Sequence, residues 1–355
     1  MNNRKWIKLV LLFSLLNIVF LGIVNYISDP FNVFHTTVFK KQFQMNERFM
    51  KIEYLEENFN KYNSYMFGSS RIGTTTTKTV EKYIPNSKFY NLSVQNTNLY
   101  DHLMHLKYFV KRKYSIENLY LQLDITDMAS YGNDGSRYLI KLHPYVKGEP
   151  LSLFYLQYLT GVFYKNIQEK IKLNINNQEY DKTMYLDTGI WIAPKREEAI
   201  SENCKEYVKH EETFNAGERK KLVINNLSQI KSSLSEIKNI CKKHNIHLYV
   251  FIASHNKNMM DLIDLKSYIS FLKVISEVKD YYDFSGYNSI AIDNCNFYDY
   301  GHYRPYVGSL IAAKIFNDAS IPVPDDFGTL VTKDNIDSYI IEKEKNMKKY
   351  RFYEK

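Results

Sequence analysis

The sequence predicts an α/β protein: a three-layer α/β/α arrangement around a mostly parallel sheet, with one N-terminal transmembrane helix ahead of it. Three observations predict this. Short apolar runs bounded by Gly, Asp or turn residues recur along the chain, as buried strands do. Between them lie stretches with apolar residues at three- and four-residue steps, the spacing of helices with one buried face. One uncharged run near the N-terminus is long enough to cross a bilayer. Strands that alternate with helices form parallel sheets covered on both faces.

The uncharged run is residues 9–27, interrupted only weakly by Ser14, Asn17, Gly22 and Asn25. About 19 residues rising ~1.5 Å each span a hydrocarbon core of ~30 Å. Arg4, Lys5 and Lys8 precede the run and Asp29 is the first charge after it. The positive-inside tendency therefore puts the N-terminus in the cytoplasm and the main domain in the periplasm or an equivalent extracytoplasmic space. Trp6 and Tyr26 sit where interfacial aromatics belong. The run exceeds the apolar core of a usual signal peptide and no small-x-small cleavage site follows, so it reads as an uncleaved signal anchor. No second run of similar length occurs, which predicts a single span.

Residues 1–28 are thus the cytoplasmic tip and anchor, and 29–60, mixing polar and aromatic residues, a neck leading into a helix. The main domain is expected over 61–325. Its strands are expected at 65–67 (closing on Gly68), 89–93, 119–123, 247–253 and, more weakly, 281–284. Helices are expected at 99–111, 222–243 and 307–316; the second has apolar residues from Leu222 to Ile240 at helical steps. Residues from about 128 to 215 interrupt the alternation with one helix at 153–171 and an aromatic, loop-like stretch at 185–194. They read as an insertion or lid rather than a second domain, and 326–355 as a polar tail. No internal repeat is visible, and the one low-complexity tract is 74–77.

Composition narrows the function classes. Hydrophobic residues make up 45% and charged residues 24%, enough to bury a sizeable core. The 31 Tyr and 21 Phe against 2 Trp and 13 Gly fit a biased genome better than a function. The net charge of +8 is spread along the chain and partly sits beside the anchor. With no basic stripe and no matching motif, nucleic acid is not an expected partner. Cys204, Cys241 and Cys295 lie far apart, without a Cys-x-x-Cys pair or metal-ligand spacing, which argues against a disulfide framework and a structural zinc site. They are expected to pack as buried thiols; a single disulfide stays open, with no pair selected. No metal and no cofactor is expected.

Two motifs carry chemistry. Phe67-Gly68-Ser69-Ser70-Arg71 follows the first strand directly. A serine on a strand-to-helix turn stands at the carboxyl edge of the sheet, where open α/β sheets place their sites. The glycine is expected to permit the tight turn, and a following helix N-terminus to help hold an oxyanion. Asp299-Tyr300-Gly301-His302 lies shortly before the last expected helix. Three residues apart on one turn, the carboxylate can accept the imidazole Nδ1–H, leaving Nε2 to act on Ser70 as general base. A serine hydroxyl is a poor nucleophile unaided, so all three roles are needed. Each motif alone is common in turns and caps; their order and placement together make Ser70, Asp299 and His302 the candidate triad.

With these residues in view, most of residues 60–320 resembles the SGNH (GDSL-like) hydrolase superfamily. Gly68-Ser69-Ser70 is similar to its Gly-Asp-Ser block and Asp299-x-x-His302 to its closing block. The stretches Asn91-Leu92-Ser93, Asp283-Phe284-Ser285-Gly286-Tyr287-Asn288 and His302-Tyr303-Arg304-Pro305 resemble a membrane-anchored branch found with polysaccharide O-acetylation and teichoic acid D-alanylation. The resemblance implies an O-acyltransferase or esterase working through an acyl-serine on a cell-envelope glycan. It also implies a membrane-bound O-acyltransferase as a partner by analogy. In the superfamily the middle blocks supply oxyanion donors from a Gly backbone and an Asn side chain. Here Asn96 stands where the Gly would be, and Asp124-Ile125-Thr126-Asp127 replaces Gly-x-Asn-Asp, putting Thr126 in place of the Asn. These departures motivate the alternative of a catalytically weak or inactive accessory protein with the same fold.

Other polar residues have two readings each. His255, just after the strand at 247–253, is a substrate or oxyanion contact, or a cap on an exposed loop. Arg71 binds an anionic substrate group or pairs with a carboxylate, and Asp124 belongs to the same candidate substrate-binding set. His102 and His105 read as helix surface, without a third metal ligand, and Glu47 and Arg48 as ordinary neck charges.

Overall fold

The computed structural model describes residues 3–129, 141–178, 182–215 and 220–352. The chain divides into two compact units, Met1–Glu53 with Gly135–Tyr180 and Tyr54–Asp134 with Asp181–Lys355.

The second unit is built on a sheet. In chain order its strands are β1 (Ser64–Gly68), β2 (Phe89–Ser93), β3 (Asn118–Leu123), β4 (Thr183–Met184), β5 (Trp191–Ile192), β6 (His247–Ile252), β7 (Tyr281–Asp283), β8 (Phe297–Asp299), β9 (His302–Tyr303) and β10 (Thr329–Val331). Six of them form one sheet in the order β10-β7-β6-β3-β1-β2. All its pairs are parallel except β10 with β7. The parallel core matches the strands expected from the apolar runs, and β1 to β3 are buried throughout, as strands covered on both faces must be. Side chains of β1 alternate between faces. Tyr65 and Phe67 meet Phe109 of the helix Leu99–Lys111, with ring centroids 4.8 and 5.8 Å apart. Met66 joins a separate cluster with Tyr120, Phe251, Val307 and Ile311, the last two on the helix Pro305–Ile315. From β1 the chain steps to β2 on one side and then crosses to β3 on the other. That reversal opens a crevice at the carboxyl ends of β1 and β3.

Several expectations are corrected here. The helix expected over 222–243 is Leu227–Lys243, because the preceding segment finds other backbone partners. Leu222 N–H donates to the Leu262 carbonyl at 2.8 Å and its own carbonyl accepts from Asp264 N–H at 2.8 Å. Residues 326–355 are no polar tail. They supply β10 and the helix Ile336–Phe352, which packs against the helix Leu265–Val278 and buries Ile336, Ile340 and Met347. Cys204 and Cys295 form a disulfide with Cα atoms 5.7 Å apart, so only Cys241 is the buried thiol expected of all three. His102 and His105 are buried rather than exposed, with ring centroids 5.7 and 6.3 Å from that of Phe67.

The insertion expected over 128–215 is divided: 135–180 belong to the first unit and 181–215 to the second. Residues 130–140 and 179–181 of that stretch lie outside the described residues. Its single expected helix is two, Leu151–Leu159 and Tyr164–Ile175, broken around Gly161. The first unit also holds the helix Asn3–Ser28, in which an 18-residue window has a mean hydropathy of 2.5, long and apolar enough to cross a membrane. The chain after it is tied down rather than loose. The Asp29 carboxylate accepts the N–H groups of Val33, Phe34 and Thr36 and the Tyr158 hydroxyl, at 2.8 to 3.3 Å. Lys170 donates its ammonium to the Asp29 carbonyl at 2.7 Å. Burial pulls that amine down to about 8, against the opposing charge of Asp29. Glu47 and Arg48, expected to be plain neck charges, are buried together with Lys51.

Candidate active site

Ser70 is the second residue after β1, at the sheet edge where the crevice opens. Gly68 is required for space rather than for an unusual backbone angle. A Cβ there would stand 2.7 Å from Ile72 Cγ2 and 2.8 Å from Gln122 Cβ. The helix expected after Ser70 is instead a single 3-10 turn, Ile72–Thr74, too short to bring a helix dipole to bear on the serine.

The structure brings the three triad candidates together. Ser70 Oγ lies 2.9 Å from His302 Nε2, and His302 Nδ1 lies 2.9 and 3.0 Å from the two Asp299 carboxylate oxygens. Asp299 ends β8 and His302 begins β9, so a tight hairpin fixes the pair across 232 residues from the serine. The contacts place the proton on Nδ1 and leave Nε2 to accept from Ser70. Burial disfavours the Asp299 carboxylate. The His302 imidazole, the Gly301 N–H at 2.7 Å and Arg196 at 3.2 Å outweigh it and hold the carboxyl well below the usual range. Asp299 is therefore charged wherever His302 must be oriented. The site can do one thing well: take a proton from Ser70 Oγ as that oxygen attacks a carbonyl.

Behind the serine lies a buried polar frame, and it changes the reading of four expected binding residues. Ser69 donates its hydroxyl to Asp124 at 2.6 Å and its N–H to Gln122 Oε1 at 3.1 Å. Arg71 is buried and pairs with Asp124, which follows β3 directly. Its partner is thus a carboxylate of the protein, the second of its two readings. Thr126 gives its hydroxyl proton to Asp124 at 2.7 Å while accepting from Arg71 at 3.1 Å. Its proton is spent inside the frame, so Thr126 is corrected from an oxyanion donor to a structural member. His255 is not the cap on an exposed loop. It is buried, donates Nδ1–H to the Ala253 carbonyl at 2.8 Å, and brings Nε2 within 3.3 Å of Asp124. Burial and the Arg71 charge hold His255 below its ordinary value, against the pull of Asp124. Asp124 is held well below the carboxylate range: burial opposes its charge, and Arg71, His255 and Ser69 overcome that penalty. Asn96 stays outside the frame, exposed, with a left-handed φ of 47°.

Residues 181–215 add side chains that no local pattern revealed. Trp191 donates its indole N–H to the Ser70 carbonyl at 2.9 Å, and its ring stands edge-on to His302 with centroids 5.5 Å apart. Arg196 reaches Asp299 from the helix Pro194–His210, and Glu197 of that helix pairs with Arg304 and accepts the Tyr298 hydroxyl at 2.7 Å. A break at Asn203, with φ −154° and ψ 87°, precedes Cys204, whose disulfide to Cys295 ties the helix to the turn leading into β8. The lone Trp in a loop-like stretch was the only signal available in the sequence. Among the described residues, no group of three or more His, Cys, Asp and Glu side chains is placed to hold a metal ion. In comparison with known proteins, no family model matches the chain and no curated protein matches it.

Proposed function

We propose that the chain is a membrane-anchored, extracytoplasmic serine acyl-transfer enzyme of the SGNH kind, acting on a cell-envelope glycan. One observation carries the reading: Ser70, His302 and Asp299, from opposite ends of the domain, stand in hydrogen-bonded sequence at the edge of a parallel sheet. Ser70 Oγ attacks the ester carbonyl of an acyl donor as His302 Nε2 takes the hydroxyl proton. Collapse of the tetrahedral intermediate expels the donor alcohol, which takes the proton back from His302 and leaves an acyl ester on Ser70. An acceptor hydroxyl, from a sugar or from water, then loses its proton to His302, attacks that ester and regenerates Ser70. The oxyanion is held by the Ser70 N–H and the loop at Asn96, whose left-handed φ of 47° suits the glycine position that the resemblance assigns there. The helix Asn3–Ser28, which carries Arg4, Lys5 and Lys8 in its first two turns ahead of the uncharged run, supports an anchor with the catalytic unit outside. A membrane-bound O-acyltransferase fits as the donor side of such a system, on the resemblance alone.

The Thr126 hydroxyl, committed to Asp124, favours a second reading: an SGNH-fold accessory protein that turns over slowly or not at all. Loss of one oxyanion donor costs roughly 2.7–4 kcal/mol of barrier. Labelling with a fluorophosphonate separates the two. The enzyme reading expects an adduct in the wild type that disappears in Ser70→Ala, together with loss of glycan acylation in cells carrying that variant. No Ser70-dependent adduct and unchanged acylation would leave the accessory reading.

A further inference from the structure

Within the first unit, the turn joining the helices Leu151–Leu159 and Tyr164–Ile175 lies against the apolar helix Asn3–Ser28. A Cβ added at Gly22 would stand 3.9 Å from both Leu159 Cβ and the Leu159 carbonyl oxygen. The depth of that contact follows from length. The uncharged run 9–27 holds about 19 residues, ~28 Å of helix, and a ~30 Å hydrocarbon core takes up all of it. Gly22 lies about five residues, or ~7.5 Å, inside the far end of the run. What packs against Gly22 is therefore level with acyl chains rather than water.

The hydrogen bonds agree. Asn25 is fully buried, and its amide donates to the carbonyls of Tyr158, Leu159 and Gly161 at 3.2, 2.8 and 2.8 Å. These are the closing carbonyls of a helix and its turn, which have no intrahelical partner. In water they would be hydrated at little cost, whereas in hydrocarbon the protein itself must satisfy them. The exposed Thr160 likewise satisfies its hydroxyl within its own helix, on the Leu156 carbonyl at 2.8 Å. Large apolar side chains crowd the outer surface: Leu156 is 58%, Val162 77% and Tyr164 65% exposed, with Leu153 also exposed, beside the exposed polar residues Gln157 and Thr160. The exposed Phe20 and Ile23 flank Gly22 on the apolar helix. Lys165 holds its ammonium 5.9 Å from the Tyr164 ring centre, a basic and aromatic pairing suited to lipid headgroups.

We propose that residues 153–164 enter the adjoining leaflet as a second, non-spanning membrane contact, with lipid acyl chains as the occupant of this face. The inference rests on the reading of Asn3–Ser28 as the membrane span. The test uses the full chain in phosphatidylcholine–phosphatidylglycerol vesicles, with a bimane label on Val162→Cys, Leu156→Cys, Phe13→Cys or Lys333→Cys in turn. The native cysteines do not compete, since Cys204 and Cys295 are joined and Cys241 is buried. Labels at 156, 162 and 13 should be quenched by nitroxide-bearing lipid and be several-fold less sensitive to iodide than the label at 333. Iodide quenching at 156 and 162 equal to that at 333, with 13 still quenched by lipid, would overturn the second contact and leave the anchor standing. Iodide access at 13 as well would overturn the anchor, and the inference with it.

Discussion

Asp124→Asn separates a structural frame from a substrate site. Asp124 and Arg71 have side chains only 2% and 7% exposed, so their charges have no water to fall back on. The substitution keeps the shape but removes the Asp124 charge from beside the buried Arg71 guanidinium, and it weakens the bonds from Ser69 and Thr126. Removing one partner of a buried pair costs about 3–5 kcal/mol. At roughly 2–4 °C per kcal/mol for a domain of this order, the melting temperature should fall by about 6–20 °C. Melting followed by circular dichroism in detergent reads this directly. Removing both charges, as Arg71→Met with Asp124→Asn, should recover part of the loss, because neither charge of the pair then remains buried. A melting temperature within about 3 °C of wild type, with a raised KM as the only defect, would refute the reasoning and return Arg71 to substrate binding.

Three further outcomes follow from the same geometry. Trp191→Phe deletes the indole donor to the Ser70 carbonyl, a bond worth roughly 0.5–1.5 kcal/mol, so kcat should fall about 2- to 12-fold with little change in KM; an unchanged kcat would show that the loop does not set the serine's position. Reducing the Cys204–Cys295 bridge should lower the melting temperature, since a crosslink across 91 residues contributes up to about 5 kcal/mol, and should also loosen the hairpin bearing Asp299 and His302; equal melting with and without reductant would oppose this. Asp299 has a folded pKa below its unfolded value of ~3.9, so its stabilisation is complete above that value and is lost as pH falls through the folded one. Asp299→Asn should therefore flatten the decline of melting temperature below about pH 4, whereas curves parallel to wild type would contradict the coupling.

What was legible in the sequence was what a short window can hold. The cores of β1, β2, β3 and β6 are apolar runs that stop at a Gly, Ser or Asp, and the Asp299–His302 spacing is a three-residue relation within one hairpin. What stayed hidden depends on contacts across the chain. Trp191 meets Ser70 over a separation of 121 residues, and Cys204 meets Cys295 over 91, with a helix break at Asn203 deciding the approach. The C-terminal helix was disguised by its Lys and Glu content, although Ile336, Ile340 and Met347 recur at four- and seven-residue steps. Thr126 was assigned by block position, and only the structure shows that Asp124 takes its proton. The frame around Asp124 is written in single polar residues after separate strands, a pattern that no one-dimensional period marks.

The central claim is that Ser70 is a nucleophile made reactive by His302. Its most direct measurement is the rate of fluorophosphonate modification, with the adduct mapped by peptide mass spectrometry, in wild type and in His302→Ala. The account predicts an adduct confined to the peptide holding Ser70, and a rate lower by about 10²–10⁴-fold once the base is gone. An adduct on another residue, or an equal rate in His302→Ala, would contradict it.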